Sequence, residues 1–221
     1  DVEPQLKTLE DLKVSVTELT LEEKLAHNIT SNSYVFDFDN ATVGVSTGKG
    51  GRTVAANARN FPALINHGVA MTVGYIGPCG LNLPHFHPRA SGILYVVHGK
   101  FEIGFYQENS AKFITNIVKK GQATVFPKGA VHYEQNLGCE PAQFVAAYNN
   151  EDPGTLTVIN SLKQVSANIV SASLGDIPDN EFEALLKRLP VNPALGVDEC
   201  LIRCGLKSAG RKKSVARSVK K

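Results

Sequence analysis

Three of the six histidines stand in an arrangement suited to holding a metal ion. His85 and His87 form an H-x-H pair, and residues two apart on a strand point to the same face, so both imidazoles can meet one ion. His132 lies on a later β-rich stretch, after the turn Pro127-Lys128-Gly129. Three imidazoles suit manganese, iron, nickel, copper or zinc, and do not choose among them. A lone histidine is ordinarily a core or surface residue, and His27, His67 and His98 read that way. An H-x-H pair with a third histidine in a glycine and proline frame is a stronger signal. Glu134 follows His132 by two residues and shares its face on a regular strand, although a polar interior or rim residue is the blander reading. Glu102 is a weaker candidate to face inward.

The elements that must carry these side chains are mostly strands. From about 69 to 160, short β-rich runs recur between Gly/Pro turns: VAMTVGYI, GILYVV, KFEIGFY, FITNIV, ATVFP, VHYEQNL, QFVAAYN and TLTVI. This spacing predicts a β-sandwich or barrel rather than a parallel sheet. Residues 1–32 read as an N-terminal arm with one or two short helices, Thr20 and Glu23 being placed as a capping box. Residues 34–47 alternate and predict a strand with a turn. Residues 33–175 form the predicted β domain, and 176–205 the C-terminal helices. Of these, 178–189 carries a stripe of Phe182, Leu185, Leu186 and Leu189, and a second helix is expected over 193–204. The segment 206–221 is a basic tail without apolar periodicity, expected to be disordered.

Composition narrows the partners. A net charge of +2 over 221 residues points to no particular polyanion, and no apolar run approaches the roughly twenty residues of a membrane helix. From Lys207 onward, however, seven basic residues occur with no acidic one. Such a run is most often solvated, and an anionic cell-wall polysaccharide is the other partner it suits. Nucleic acid is disfavoured, for want of a base-stacking aromatic array. The four cysteines, Cys79, Cys139, Cys200 and Cys204, contain no zinc-type C-x-x-C pair, and two sequons begin at Asn28 and Asn40. With the polar opening DVEPQLKTLED, these features predict a mature secreted chain, glycosylated and disulfide-bonded, whose signal peptide has been removed.

The frame around the histidines is more specific still. Gly80, His85 and His87 give G-x4-H-x-H, and Gly99 closes the next strand. Gly121, Pro127, Gly129, His132 and Asn136 give G-x5-P-x-G-x2-H-x3-N. These two boxes resemble those of the cupin superfamily in the form used by germins. The segments GPCGLNLPHFHPRA, YVFDFDN, NARNFPAL, EQNLGCEP, NNEDPGT and LGVDECLIRCG are similar to the germin and spherulin branch, over roughly residues 33–205.

The resemblance implies a mainly β fold, a single cupin jelly-roll barrel with C-terminal helices, and one divalent metal inside it. Germins hold Mn²⁺ with three histidines and a glutamate and assemble as homo-oligomers. His85, His87 and His132 match the histidines, whereas Gly92 stands where the family has its carboxylate. Without that charge the site should favour copper, nickel, zinc, cobalt or ferrous iron over manganese. Of the two asparagines that hold substrate in oxalate-oxidising germins, Asn82 matches one and Thr72 replaces the other. Because the two boxes pack together in a cupin, the resemblance suggests a Cys79–Cys139 bridge, leaving Cys200 with Cys204. Four cysteines allow three connectivities. Three function classes follow. One is an extracellular metal-dependent oxidoreductase acting on dioxygen, superoxide or a small oxygen-rich substrate, with Asn82 orienting the ligand and Glu134 assisting. Another is a non-catalytic metal-binding protein of the cell wall or spore coat, as in spherulins. A small-molecule binding barrel with vestigial ligands is a third.

Overall fold

Alternating burial along the strands builds two facing antiparallel sheets. In β5 (Gly92–His98), for instance, Gly92, Leu94 and Val96 point inward while Ile93 and Tyr95 face out. The structure, a computed structural model, describes residues 10–15, 17–28 and 34–207. The first sheet has the order β1-β2-β3-β10-β5-β8, with β1 at Val45–Gly48, β2 at Gly51–Ala56, β3 at Ala70–Ile76, β8 at Ala123–Phe126 and β10 at Ala142–Tyr148. The second has the order β11-β4-β9-β6-β7, with β4 at Gly80–Phe86, β6 at Lys100–Tyr106, β7 at Ile114–Lys119, β9 at Val131–Asn136 and β11 at Leu156–Thr157. A late strand, β12 (Ala194–Leu195), adds to β4. The core between the sheets includes Ile76, Leu94, Val96, Phe101, Ile103, Phe126 and Phe144, and the Phe101 and Phe144 rings meet edge to face at 5.5 Å. The architecture is a mainly β jelly roll with a few helices.

Several sequence expectations need correction. Residues 34–44 form no strand: the Asp37 carboxylate accepts N–H bonds from Asp39 and Asn40, a local turn that competes with ladder pairing. The expected strand TLTVI is cut to two residues, paired with Phe86 and His85. The next partner would be Pro84, which has no N–H to offer, and the chain turns into α2 (Val158–Ser161). The helix of the N-terminal arm, α1 (Glu18–Asn28), is capped by Thr17, whose hydroxyl accepts the Thr20 N–H; Thr20 lies inside the helix. Leu21 and Leu25 of α1 pack with Leu12, Ala58 and Ile65 in a satellite core.

After α3 (Ala167–Ser173) comes α4 (Asp179–Arg188), which buries Phe182. The helix expected over 193–204 is instead β12 followed by α5 (Asp198–Arg203). Glu102 faces outward, where its carboxylate accepts from the Tyr133 hydroxyl. Asn28 closes α1, but the rest of its sequon lies outside the described residues, as does the tail beyond Lys207. Asn40 is exposed.

The disulfides also differ from expectation. Cys79 pairs with Cys200 and Cys139 with Cys204, at Cα separations of 5.7 and 5.2 Å. Residues four apart at the end of α5 share one helix face, so both thiols point at the barrel rather than at each other. The two bridges pack together, with Cys79 Sγ 3.5 Å from Cys204 Sγ.

Candidate metal centre

The site is built on the facing strands β4 and β9. Register pairs His85 with His132 and Asn82 with Glu134. Two residues separate Asn82 from His85 on β4, yet only one separates their partners on β9. A β-bulge at Leu83-Pro84 absorbs the extra residue and lets both Asn82 and His85 face inward, against the simple alternation of a strand. His87 lies one residue beyond the strand end. Gly80 opens β4 where a Cβ would collide with the Gly50 carbonyl, and Gly129, at φ +78°, makes the turn that donates an N–H to the His87 carbonyl.

All three imidazoles are buried, with ring centroids 4.2 Å apart for His85 and His132, 5.2 Å for His85 and His87, and 5.3 Å for His87 and His132. Each Nδ1 lies against a carbonyl: Leu83 O at 2.7 Å for His85, Gly154 O at 2.5 Å for His87 and Ala130 O at 2.8 Å for His132. A carbonyl only accepts, so each Nδ1 carries the proton and each Nε2 presents a bare lone pair. The His87 Nε2 is buried with no partner. One donor atom from each ring lies within 4.8 Å of the others. Burial holds the His85 imidazole well below its usual pKa, with His132 and His87 adding to the effect. Burial also lowers His87, and brings His132 down to about 4. Three neutral bases thus converge with their Nε2 lone pairs free, which fits a divalent ion.

A cavity of about 70 Å³ adjoins the cluster, lined among others by Asn82, Glu134, Phe126, Phe144, Tyr148 and Asn192. Phe126 stacks on His132 with centroids 4.0 Å apart. Glu134 lines this cavity but falls outside the close histidine group. Its carboxyl is fully buried, and the lost hydration pushes its pKa up to about 8 despite a hydrogen bond from Asn82 Nδ2 to Oε2 at 2.8 Å.

The structure brings His85, His87, His132, Asn82 and Glu134 to one cavity. Residues 36–175 match the family described as Cupin. The chain belongs to the cupin family. This cupin is 52% identical to Spherulin-1A of Physarum polycephalum, over 80% of this chain and 72% of that protein. It is 37% identical to Germin-like protein 1-3 of Oryza sativa subsp. japonica, over 63% of this chain and 62% of that protein. Among solved structures, an oxalate oxidase in complex with glycolate aligns at 25% identity and a TM-score of 0.63, covering 70% of this chain and 80% of that one. An oxalate decarboxylase from Bacillus subtilis shares the fold, at 20% identity and a TM-score of 0.58, over 68% of this chain and 38% of that one.

Two residues of this cupin's site carry no local signal in the sequence. Tyr148 sits opposite Gly92 in the β5–β10 ladder and packs on His87 with centroids 4.5 Å apart. A Cβ on Gly92 would lie 3.3 Å from two Tyr148 ring carbons, so the phenol must give by a few tenths of an ångström to admit a side chain at 92. Asn192 enters from beyond α4, 110 residues from the Asn82 it bonds. Tyr148 shows only as one more apolar residue of a strand.

Proposed function

We propose that this cupin is an extracellular metal-dependent oxidoreductase acting on dioxygen, superoxide or a small oxygen-rich acid. The observation that carries the reading is the convergence on a buried cavity of three neutral imidazoles whose Nδ1–H groups are spent on carbonyls and whose Nε2 atoms are bare. His85, His87 and His132 would hold the ion, which when bound would supply one-electron exchange and Lewis acidity. The cavity of about 70 Å³ lies far below the roughly 300–1,000 Å³ typical of drug-sized ligands, which favours a ligand of a few atoms. Phe126 and Phe144 limit water there. Asn82 donates to Glu134 Oε2, and this carboxyl, which lines the same cavity, would be the group that exchanges protons with a reduced oxygen species. The two bridges favour an oxidising compartment. Exposed Met71, Ile93, Tyr95 and Val125 on the outer face of the first sheet suit a homo-oligomer.

A second reading, a metal-holding structural protein of a wall or coat, is favoured by Gly92, since no carboxylate offsets the ion's charge. Protein purified without added metal decides between the two. The oxidoreductase reading expects about one transition ion per chain, with turnover of superoxide or of oxalate under dioxygen. One bound ion without turnover leaves the structural reading, and a metal-free barrel sinks both.

Metal choice can be tested at Tyr148. Gly92→Glu alone must push the phenol aside, and is expected to cost about 1–3 kcal/mol in denaturant melts and gain no Mn²⁺ affinity. Gly92→Glu combined with Tyr148→Ala is expected to gain it, measured by calorimetric titration. Tight Mn²⁺ binding by the single variant would show that the ring yields freely.

A further inference from the structure

The bulge that aims Asn82 and His85 frees a backbone N–H at Leu83, and a buried amide of this kind requires a partner. That partner comes from outside the barrel strands. Leu83 N donates to Asn192 Oδ1 at 2.7 Å, and Asn192 Nδ2 donates to Asn82 Oδ1 at 2.6 Å. Asn82 Nδ2 then donates to Glu134 Oε2 at 2.8 Å. The order of atoms in this chain is forced. A backbone N–H can only donate, so Asn192 must turn its oxygen to Leu83 and its NH₂ to Asn82. Asn82 must therefore turn its own NH₂ to Glu134. The Leu83 carbonyl meanwhile accepts from His85 Nδ1, so the same bulged residue sets the tautomer and ring angle of a candidate ligand.

Asn192 is itself stitched in place by the backbone around it. Ser46 Oγ donates to the Asn192 carbonyl at 2.7 Å, and Gly50 N donates to Pro193 O at 3.0 Å. β12 pairs Ala194 with Leu81 and Leu195 with Gly80 on the strand that carries the site. Gly196 N reaches Cys79 O at 2.8 Å, just before the helix held by the Cys79–Cys200 bridge.

The geometry points to Asn192 as a positioning residue of the metal centre, acting through the Leu83 bulge on His85 and through the Asn82 amide on the ligand side of the cavity. The barrel strands alone leave the site incomplete, and the segment after α4 completes it. This inference rests on the metal-binding reading above.

Two variants in the full chain separate the two arms, with Co²⁺ as probe. Asn192→Ala removes both bonds. Its Co²⁺ affinity is expected to fall about 10–100-fold, with an altered visible spectrum at saturation and faster hydrogen exchange at Leu83 N–H in metal-free protein. Asn192→Asp keeps an acceptor for Leu83 but no donor for Asn82. It is expected to lose less Co²⁺ affinity than Asn192→Ala, because the Leu83 bond is kept, while the Asn82 side-chain amide resonances shift. It also serves if Asn192→Ala does not fold. Wild-type affinity and a superimposable saturated spectrum in Asn192→Ala, even with a lowered melting temperature, would make Asn192 merely structural and overturn the proposal. Unshifted Asn82 resonances in Asn192→Asp would overturn its amide arm. If wild-type protein takes up no Co²⁺, the metal-binding reading fails and the proposal falls with it. Binding that is indifferent to Asn192 removes the proposal alone.

Discussion

Replacing His85 by alanine is expected to abolish stoichiometric metal binding, lowering affinity by at least about 100-fold. Substitution of groups that merely orient a ligand typically loses 10–100-fold, and His85 would contribute a donor atom as well. The ring is buried against His132 and His87 beside the β4 bulge, and its removal leaves two of the three converging imidazoles. A variant that keeps its circular dichroism spectrum but loses copper or cobalt in calorimetric titration meets the expectation. The exposed His98 gives the control, since His98→Ala should bind as wild type. Retention of one tightly held ion per chain by His85→Ala would place the metal elsewhere.

Removing the Cys79–Cys200 bridge, by Cys79→Ala with Cys200→Ala, is expected to destabilise the fold by about 2–5 kcal/mol in chemical denaturation. The bridge spans 121 residues, and the unfolded chain gains most freedom when a long loop is opened. It also anchors α5, and with it the strand β12 that lies on β4. Peptide mapping under non-reducing conditions checks the connectivity: fragments holding Cys79 with Cys200 and Cys139 with Cys204 are expected. Fragments joining Cys79 to Cys139 would restore the simpler pairing, and a variant as stable as wild type would show that the clasp is dispensable.

Both results bear on how far residues in order can be read without their packing. The H-x-H pair with its third histidine was legible because each box is local: glycine and proline mark turns whose conformation few other residues adopt, and the histidines lie at fixed offsets from them. The β class was legible because alternation has a period of two wherever one face of a strand is buried. Asn82 was named from its place before the pair, but a regular strand would have turned it away from His85. Only the bulge at Leu83-Pro84 reconciles them, and a bulge depends on the partner strand's register.

The remaining misses share one cause. Asp37 captured its own backbone and stopped a strand that alternation favoured. Cys200 and Cys204 look like partners at four residues apart, yet a helix points both at a third surface. Gly92 reads in sequence as a lost carboxylate, and in space as a position that the Tyr148 ring crowds. The sequence by itself thus determined the fold class and the three histidines, through short-range turn chemistry and periodicity. Tertiary structure alone decided the company they keep, namely Tyr148 against His87, the two bridges and Asn192 at the bulge. Those contacts join residues far apart in the chain, and no local spacing encodes them.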